Sequence, residues 1–372
     1  MTDLRQSVDW TAELSSRRLK FRQLLDVAGC DVGLVFGCDG HAQHFRYLTN
    51  FVPVLGDCWL LAAGDLRCFL TFQWQIVEAI GRSGIDKWDA AFNPVPLVVD
   101  ALKKARPKRV GVAGMERMPV PAWRALVEGL PGTELVDVSA SLAMLRRRKS
   151  PLEVDRLRAA ARLTDAMLDA ARSNVRIGLA ENELAAQLST IPLASGGRCA
   201  FETTVVSGTE QPIPIRMPTA RRIDRGDTVM IDLGAEVDGY QADATRTFVV
   251  GSASAAQQRA WSVVLAAYEA AVELARPGVP CRDLHLAAAK VIESAGYQVA
   301  HRIGHGIGLA TSYEWPSLDT EESPLEPGVA ICIEPGVYAP GAGNMKLEDD
   351  VLITDSGCEM LTRSDRGLEL PA

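Results

Sequence analysis

The sequence predicts an α+β protein built from two domains. Its 372 residues are too many for one ordinary hydrophobic core. Helix-like and strand-like segments alternate between residues 20 and 145, which is typical of an α/β domain. In the second half the strands and helices are segregated, which predicts a largely antiparallel sheet. We expect one domain over residues 1–148 and a second over residues 149–372.

The first half contains apolar runs bounded by glycine and proline, and their length and periodicity indicate the type of each element. We expect strands at residues 31–37, 58–64 and 107–115. We expect helices at residues 69–84, closed by glycine, and at residues 119–132, ended by Pro-Gly. This order gives the first domain its α/β pattern.

A basic run followed by a strong helix start marks the domain boundary. Residues 146–149 are Arg-Arg-Arg-Lys. Ser150, Pro151 and Glu153 then supply an N-cap, a proline in the first turn and the acid of a capping box. Apolar residues recur at helical spacing after them, so we expect an amphipathic helix to open the second domain.

The second half is expected to group its helices and strands in blocks. In chain order we expect a helix, a strand, a hairpin, two helices and two further strand regions, at residues 181–191, 199–208, 227–251, 255–275, 281–296, 328–338 and 344–354. The hairpin and the two later strand regions carry acidic residues in otherwise apolar surroundings. These acids are therefore the first place to look for function.

The hairpin brings two carboxylates to one face. The Asp-Gly pair at residues 238–239 is a strong two-residue turn signal, and such a turn pairs Val237 with Tyr240. In that register Asp232 lies diagonal to Asp243, about 7–8 Å away, and a slip by two residues would place them directly opposite. Either register puts both acids on one face of strands apolar enough to be buried. Two buried acids need a cation beside them.

Three further residues extend this set of potential metal ligands. Glu334 and Glu348 each lie in a predicted core strand, and His305 lies in the glycine-rich stretch HRIGHGIGL. The glycines disfavour a helix that would carry His301 and His305 on one face, so we expect a strand leading into a tight loop. Four carboxylates and one imidazole suit two divalent ions, such as Mn, Co, Zn or Fe, that share bridging carboxylates.

Composition and charge exclude several classes of partner. The net charge is −8 and the isoelectric point about 5.3, which argues against a nucleic-acid partner bound by neutralising phosphates. No apolar run is long enough to span a bilayer, and the polar N-terminus lacks the features of a signal peptide. The eight cysteines include no CxxC pair, which predicts reduced core residues. We therefore expect a cytoplasmic protein with neither a membrane nor a nucleic-acid partner.

Four segments establish a resemblance to a known family. IDLGAEVDGYQADATRTF, GHGIGL, IEPGVY and KLEDDVLIT follow the order and spacing of the pita-bread metalloenzymes, which include methionine aminopeptidase, aminopeptidase P, prolidase and creatinase. The sequence resembles this family over nearly its whole length. The resemblance implies a creatinase-type N-terminal domain and a C-terminal catalytic domain with a curved, mostly antiparallel sheet and helices outside it. It also implies a homodimer.

The resemblance also implies a set of metal ligands. Position by position, the ligands of two divalent ions fall on Asp232, Asp243, His305, Glu334 and Glu348. Each position carries the residue type that the family uses. The resemblance further implies that Glu334 is catalytic, as the proton shuttle for the bridging water.

On the substrate side, the chain departs from the family's peptidases. His301 matches a histidine of aminopeptidase P that acts on the substrate, and Lys346 stands where that enzyme has an arginine. The peptidases have a histidine at two further positions. In this chain the first position holds Ile215, which Arg216 follows, and the second holds Tyr313. We expect Tyr313 to replace a catalytic hydrogen-bond donor, and Ile215 to face the substrate. Arg216 and Lys346 are expected to bind a substrate carboxylate. Core packing of Tyr313 and a surface position for Arg216 are the alternatives.

Three hypotheses for the function follow. The first is a dinuclear metal-dependent hydrolase, similar to Xaa-Pro dipeptidases and aminopeptidases, that attacks a short peptide with metal-bound hydroxide. The second is a non-peptidase that cleaves a C–N or C–S bond of a small amine, betaine or sulfonium compound, as creatinase and dimethylsulfoniopropionate lyase do in this family. The third is an inactive binding module, which the complete ligand set disfavours.

Overall fold

The computed structural model describes residues 8–310 and 314–371. These residues divide into two compact units, 8–146 and 147–371. Both units combine helices with sheets, and the α+β class predicted from the sequence is confirmed. Within the described ranges, we find no helix that is both long and apolar enough to cross a bilayer.

The first unit is built on a six-stranded sheet. Its helices are α1 (Thr11–Val27), α2 (Gln43–Thr49), α3 (Ile76–Ser83), α4 (Val95–Ala105), α5 (Val120–Gly129) and α6 (Ser139–Arg146). Its strands are β1 (Val32–Gly37), β2 (Cys58–Ala63), β3 (Asp65–Leu70), β4 (Trp88–Ala90), β5 (Arg109–Ala113) and β6 (Glu134–Asp137). The strand order is β4-β3-β2-β1-β5-β6, and β1, β5 and β6 run parallel. Apolar side chains of the sheet pack against α4 and α5 to form the core of this unit.

The helix predicted at residues 69–84 is wrong in its first half. The range begins with the last two residues of β3, because pairing with β2 buries Phe69 and Leu70 completely. A short apolar run does not by itself distinguish a strand from a helix, and here the neighbouring strand decides. Helix α3 forms only later in the range and ends at the predicted glycine, Gly84, which has a φ of 63°.

The second unit consists of helices and several small, mostly antiparallel sheets. Its helices are α7 (Pro151–Asn174), α8 (Glu181–Ala194), α9 (Ala255–Leu274) and α10 (Cys281–Ser294). Its strands are β7 (Arg198–Cys199), β8 (Thr204–Ser207), β9 (Thr228–Leu233), β10 (Ala235–Val237), β11 (Tyr240–Gln241), β12 (Ala244–Val250), β13 (Gly304–Gly306), β14 (Glu314–Ser317), β15 (Ala330–Ile333), β16 (Gly336–Ala339), β17 (Gly343–Lys346), β18 (Asp349–Ile353), β19 (Cys358–Met360) and β20 (Glu369–Leu370). The sheets have the orders β11-β10-β7, β20-β12-β9-β8, β14-β13-β15-β18-β19 and β16-β17.

The predicted helix start at the beginning of this unit is present, and it also anchors the hairpin. The Glu153 amide donates to Ser150 Oγ (3.3 Å) and the Ser150 amide donates to Glu153 Oε2 (3.0 Å), which completes the capping box. Glu153 Oε1 accepts a hydrogen bond from Tyr240 Oη (3.0 Å), and the Ala235 amide donates to Thr164 Oγ1 (3.0 Å). Helix α7 therefore holds both arms of the hairpin.

The hairpin turns where the sequence predicts. Asp238 and Gly239 have φ values of 50° and 87°, as a type I′ turn requires. Val237 pairs with Tyr240, as that turn dictates. This conformation suits the strand twist, which fixes the register of everything beyond the turn.

The same register places the two acids diagonally. Asp232 lies opposite Thr245 in the β9–β12 pair, and Leu233 opposite Ala244. Asp243, one residue before β12, accordingly falls beside Gly234. Of the two registers that the sequence left open, the structure has the diagonal one.

Helices α9 and α10 hold the other strands that carry the acids. Their buried side chains join a core with Ile331 and Ile333 of β15 and with Val351 and Ile353 of β18. Because side chains alternate along a strand, the residues between these isoleucines and valines face away from the helices. That opposite face belongs to the site described below.

The hairpin register depends on close backbone approach at Gly234. A Cβ at this position would lie 2.0 Å from Ala242 O and 2.9 Å from Phe201 Cε1. We expect Gly234→Ala to lower the free energy of unfolding by about 3 kcal/mol, since a backbone must shift to admit it. Gly357→Ala is the control, because a Cβ there meets no described atom within 4 Å. Urea unfolding followed by circular dichroism measures both, and equal losses would contradict the argument.

Candidate metal centre

Five side chains that are far apart in the sequence meet in the second unit. Asp232 lies near the end of β9, Asp243 precedes β12, His305 lies in β13, Glu334 follows β15 and Glu348 lies between β17 and β18; all five are buried. Together with Cys332, they form two groups whose potential ligand atoms lie within 4.8 Å of one another. One group is His305, Cys332, Glu334 and Glu348, and the other is Asp232, Asp243 and Glu348. Glu348 belongs to both groups, so its carboxylate joins the two halves of the cluster.

Thr245 connects Glu348 to the hairpin. Thr245 and Glu348 exchange two backbone hydrogen bonds of 3.3 and 3.2 Å, and Thr245 Oγ1 donates to Glu348 Oε2 (2.7 Å). Because Thr245 is the residue opposite Asp232, this contact sets the position of Glu348 relative to Asp232. The turn at residues 238–239 thereby determines the geometry of a carboxylate about a hundred residues later.

Two glycines let the strand of His305 enter this crowded region. A Cβ on Gly304 would lie 2.2 Å from Cys332 O, and a Cβ on Gly306 would lie 2.0 Å from Trp315 O. Neither position has room for a larger residue without a shift of the backbone. The glycine-rich stretch thus forms the predicted strand instead of a helix.

The hydrogen bond at Nδ1 orients the His305 ring. Nδ1 lies 3.0 Å from the Gly306 carbonyl oxygen, which can only accept, so Nδ1 carries the proton. Nε2 then faces the carboxylates, 3.8 Å from Asp243 Oδ2 and 3.6 Å from Glu334 Oε1. A backbone carbonyl at one ring nitrogen and a free second nitrogen is the usual arrangement of a metal-binding histidine.

Two buried oxygens in the cluster fit a metal ion. Asp243 Oδ1 and Glu348 Oε1 have no hydrogen-bond partner among the described residues. Leaving a buried carboxylate oxygen unsatisfied is costly, and such groups in native proteins are normally paired or bound to a metal. Together with His305 Nε2, these oxygens are the donor types that Mn, Fe, Co and Zn accept.

A lysine lies among the same carboxylates. Lys346 Nζ is 2.8 Å from Asp232 Oδ2, 3.0 Å from Glu334 Oε2 and 2.9 Å from Glu348 Oε2. Burial opposes its charge, but Asp232, Glu348 and Glu334 together raise the pKa of Lys346 well above its usual value. The sequence predicted this residue on the substrate side, and the structure gives its ammonium three protein carboxylates. Its role in substrate binding stays a prediction.

The carboxylates differ in how strongly they are compensated. Burial raises the pKa of Asp243 well above its usual value, and the charges of Glu348 and Asp232 raise it further. Burial also raises the pKa of Asp232, although Lys346 opposes this. For Glu334, the nearby Lys346 and His305 outweigh burial, and its pKa is lowered. Of these three acids, Glu334 is therefore the one best suited to remain ionised.

His301 lies at the border of the cluster, next to a residue that sequence reasoning missed. Its Nδ1 lies 2.7 Å from the Arg302 carbonyl oxygen and must donate, so Nε2 accepts from Tyr338 Oη at 2.8 Å. Burial raises the pKa of Tyr338, which keeps the phenol protonated as that donor. Tyr338 ends the segment IEPGVY, four residues after Glu334, but no periodicity in the sequence distinguishes it from a core tyrosine.

Cys332 was also missed. Its sulfur lies in the same group as His305, Glu334 and Glu348, and burial raises the pKa of its thiol well above the usual value. The cysteines were predicted to be reduced core residues, and Cys332 is indeed buried. The signal that could have found it is strand parity, since Cys332 in β15 lies two residues before Glu334, which directly follows the strand.

The structure does not bring the other predicted substrate residues into the cluster. Arg216 forms a two-pronged ion pair with buried Glu181, with Nη1 2.7 Å from Oε2 and Nη2 2.6 Å from Oε1. Glu181 also accepts hydrogen bonds from the amides and hydroxyls of Ser207 and Thr219. Ile215 is 71% exposed. Tyr313 lies outside the described residues, and its role stays a prediction, as do those of Arg216 and Ile215.

Comparison with protein families identifies the family of the chain. Metallopeptidase family M24 matches residues 155–355, and the Creatinase/Prolidase N-terminal domain matches residues 17–148. The chain belongs to metallopeptidase family M24. The family and the pita-bread fold predicted from the sequence are both confirmed.

Three relatives show how this M24 chain compares with known proteins. It is 38% identical to the Xaa-Pro dipeptidase of Pyrococcus furiosus over 228 residues, 60% of this chain and 65% of the relative. This chain therefore spans 65% of the length of that curated relative. Two solved structures, an Xaa-Pro dipeptidase from Bacillus anthracis and a prolidase from Pyrococcus horikoshii OT3, are 27% and 29% identical. Each matches with a TM-score of 0.86 and covers 96% of this chain and 99% of its own.

The Glu181–Arg216 pair predicts a pH-dependent stability. Burial alone would raise the pKa of Glu181, but hydrogen bonds from Arg216, Ser207 and Thr219 lower it to about 2. Its stabilising contribution is complete above the unfolded-state pKa of about 4.3 and is lost as the pH falls toward the folded-state value. We expect Glu181→Gln to remove this pH dependence and to lower the free energy of unfolding by about 3 kcal/mol at neutral pH.

Urea unfolding between neutral and acidic pH measures this effect. Glu210→Gln is the matched control, because Glu210 is an exposed acid of the loop that carries Arg216. A pH slope that is the same in Glu181→Gln and in the unmodified protein would show that Glu181 does not contribute it.

Proposed function

We propose that this chain is a metal-dependent Xaa-Pro peptidase that hydrolyses short peptides, with divalent ions held by Asp232, Asp243, His305, Glu334 and Glu348. The observation that carries the proposal is the convergence of these buried side chains, two of whose oxygens have no hydrogen-bond partner among the described residues. The Xaa-Pro dipeptidases and the prolidase that the chain resembles in sequence and fold support the choice of substrate.

Divalent ions bound in this centre would polarise a peptide carbonyl and activate water near neutral pH. The residues of the chain supply the proton transfers and the orientation. Glu334, ionised because of its neighbours, accepts a proton and passes it to the leaving amine. His301 is oriented by the Tyr338 hydroxyl and the Arg302 carbonyl, so that its ring stands at the edge of the cluster. Tyr313 is proposed as the donor to the substrate that replaces a histidine.

A second function has one specific observation in its favour. The guanidinium of Arg216 forms its two-pronged ion pair with Glu181. The neighbouring position holds Ile215, where the peptidases have a histidine. A site without that histidine suits a substrate smaller than a peptide, such as an amine, betaine or sulfonium compound cleaved at a C–N or C–S bond. The metal ligands would serve this reaction equally.

We propose two divalent ions, which share the carboxylate of Glu348. The oxygen and nitrogen donors alone accept Mn, Co, Zn or Fe. Cys332 adds a sulfur to the group of His305, and thiolate ligands favour Co and Zn over Mn. We therefore propose that this half of the centre prefers Co or Zn.

The organisation of the whole protein remains part of the proposal. We propose domains 1–148 and 149–372, a homodimer and a cytoplasmic location. Sedimentation equilibrium of the purified protein tests the dimer, and a single species of 40.1 kDa would contradict it.

Metal removal tests the proposed activity. Stripping the protein with a chelator is expected to abolish hydrolysis of Xaa-Pro dipeptides, and Mn or Co to restore it. Asp243→Asn should lower kcat/KM by about 100-fold or more, because it removes a ligand to the ions. Asp355→Asn, at an exposed acid of the same unit, should have no effect.

The substrate panel separates the two functions. It contains proline dipeptides on one side and small amines, betaines and sulfonium compounds on the other. Metal-dependent turnover of only the second group would exclude the peptidase and support the alternative. Turnover that survives complete metal removal would contradict both.

The proposed preference of the Cys332 half has a spectroscopic readout. We expect Co(II)-loaded protein to show sulfur-to-cobalt charge-transfer absorption in the near ultraviolet, and Cys332→Ser to lack it. Cys281→Ser is the control, because Cys281 is equally buried but belongs to neither ligand group. Identical spectra of all three proteins would show that the sulfur of Cys332 is not a ligand.

A further inference from the structure

Lys346 is placed unusually for a residue inside a metal centre. Its ammonium lies within 3.0 Å of one oxygen from each of three carboxylates, Asp232, Glu334 and Glu348. Two of these belong to different ligand groups, and the third, Glu348, is shared by both. The lysine therefore contacts the cluster where the two halves join.

The backbone of Lys346 is held in place on both sides. Its amide donates to Thr247 Oγ1 (3.0 Å), and Thr247 Oγ1 donates to its carbonyl oxygen (2.8 Å). It is also paired with Gly336 across the β16–β17 hairpin. The strand cannot slide to remove the ammonium, so only the four-carbon side chain is free to move.

Five oxygens of the centre fall into two classes. Asp243 Oδ1 and Glu348 Oε1 have no hydrogen-bond partner among the described residues, and His305 Nε2 faces the carboxylates beside them. In contrast, Asp232 Oδ2, Glu334 Oε2 and Glu348 Oε2 each form an ion pair with the single ammonium of Lys346. The first class is ready for a cation, and the second is available only in exchange for the ammonium.

We propose that Lys346 is a built-in competitor of the second divalent ion, an inference that rests on the proposed metal-dependent function. A first ion binds tightly through the unpartnered oxygens. A second ion requires the oxygens that Lys346 contacts. The ammonium and this ion are both positive, and two positive charges beside the same oxygens repel strongly in a buried site. The side chain of Lys346 therefore has to swing away before the second ion binds, and the two ions bind with unequal affinity.

A purely structural role for Lys346 makes the opposite prediction. If the ammonium only positioned the three carboxylates, its removal would let them move apart and would weaken the binding of both ions. If the ammonium competes with the second ion, its removal raises the affinity of the protein for that ion. The sign of the change in affinity distinguishes the two roles, and it does not depend on catalytic activity.

The experiment titrates Mn(II) into chelator-treated protein by isothermal calorimetry, with bound metal counted after equilibrium dialysis. We expect the unmodified protein to bind one ion tightly and a second weakly. Lys346→Met, which keeps most of the length of the side chain without its charge, should bind the second ion about tenfold more tightly or better. Lys346→Arg should keep the weak second site, because it keeps the charge. Lys87→Met, at an exposed lysine of the first unit, is the control and should match the unmodified protein.

Thermal unfolding gives a second readout. Without metal, Lys346→Met should melt at a lower temperature than the unmodified protein, because three buried carboxylates lose their cation. With Mn(II) it should gain more in melting temperature than the unmodified protein does, because tighter binding stabilises the fold more. Lys346→Gln replaces Lys346→Met if the latter fails to fold.

Two results would overturn the proposal. One is equal and tight binding of two ions by the unmodified protein. The other is a second ion that binds Lys346→Met no more tightly than it binds the unmodified protein. Failure of the proposed function looks different. In that case neither the unmodified protein nor Lys346→Met, which retains all five ligands, binds a divalent ion.

Discussion

The repulsion among four buried carboxylates is the constraint on which the second unit depends. Asp232, Asp243, Glu334 and Glu348 lie in one small volume away from solvent, where like charges are poorly screened. Such a cluster persists only if cations enter it and if the surrounding strands resist its expansion. Lys346 supplies one cation, and the unpartnered oxygens of the cluster are suited to divalent ions.

The strands resist expansion of the cluster because hydrogen bonds and close backbone contacts fix their positions. The type I′ turn fixes the hairpin, helix α7 holds both of its arms, and Thr245 ties Glu348 to the strand opposite Asp232. Glycines at 304 and 306 let neighbouring strands approach more closely than any larger residue would permit. The same contacts that stabilise the fold therefore position the proposed metal ligands, and a change in strand register would disturb both.

Charge compensation also explains the loop that carries Arg216. Glu181 is buried at the start of α8 and collects hydrogen bonds from Ser207, Arg216 and Thr219. Arginine is well suited to this because its fork matches a carboxylate, whether that carboxylate belongs to a substrate or to the protein. In this chain the protein's own carboxylate takes the guanidinium. The loop that carries Arg216 is thus a structural element of this chain.

The sequence by itself determined the features that local geometry controls. The Asp-Gly turn and the period of two along a strand put Asp232 and Asp243 on one face, and the capping box set the start of α7. The family motifs supplied the family and the fold. Tertiary structure decided the end of β3 at residues 69–70, because pairing with a neighbouring strand overrides a run that is apolar enough for a helix.

Tertiary structure alone also decided which charges neutralise one another. Lys346 contacts Asp232 across 114 positions of sequence, and Arg216 contacts Glu181 across 35. Both are long side chains that reach whatever carboxylate the fold brings within several ångströms, and no local pattern records that neighbour. The sequence predicted both residues as substrate ligands because it showed their charge but not the acids beside them. Strand parity and motifs predicted the proposed ligand set, whereas the positive charges beside it depended on packing.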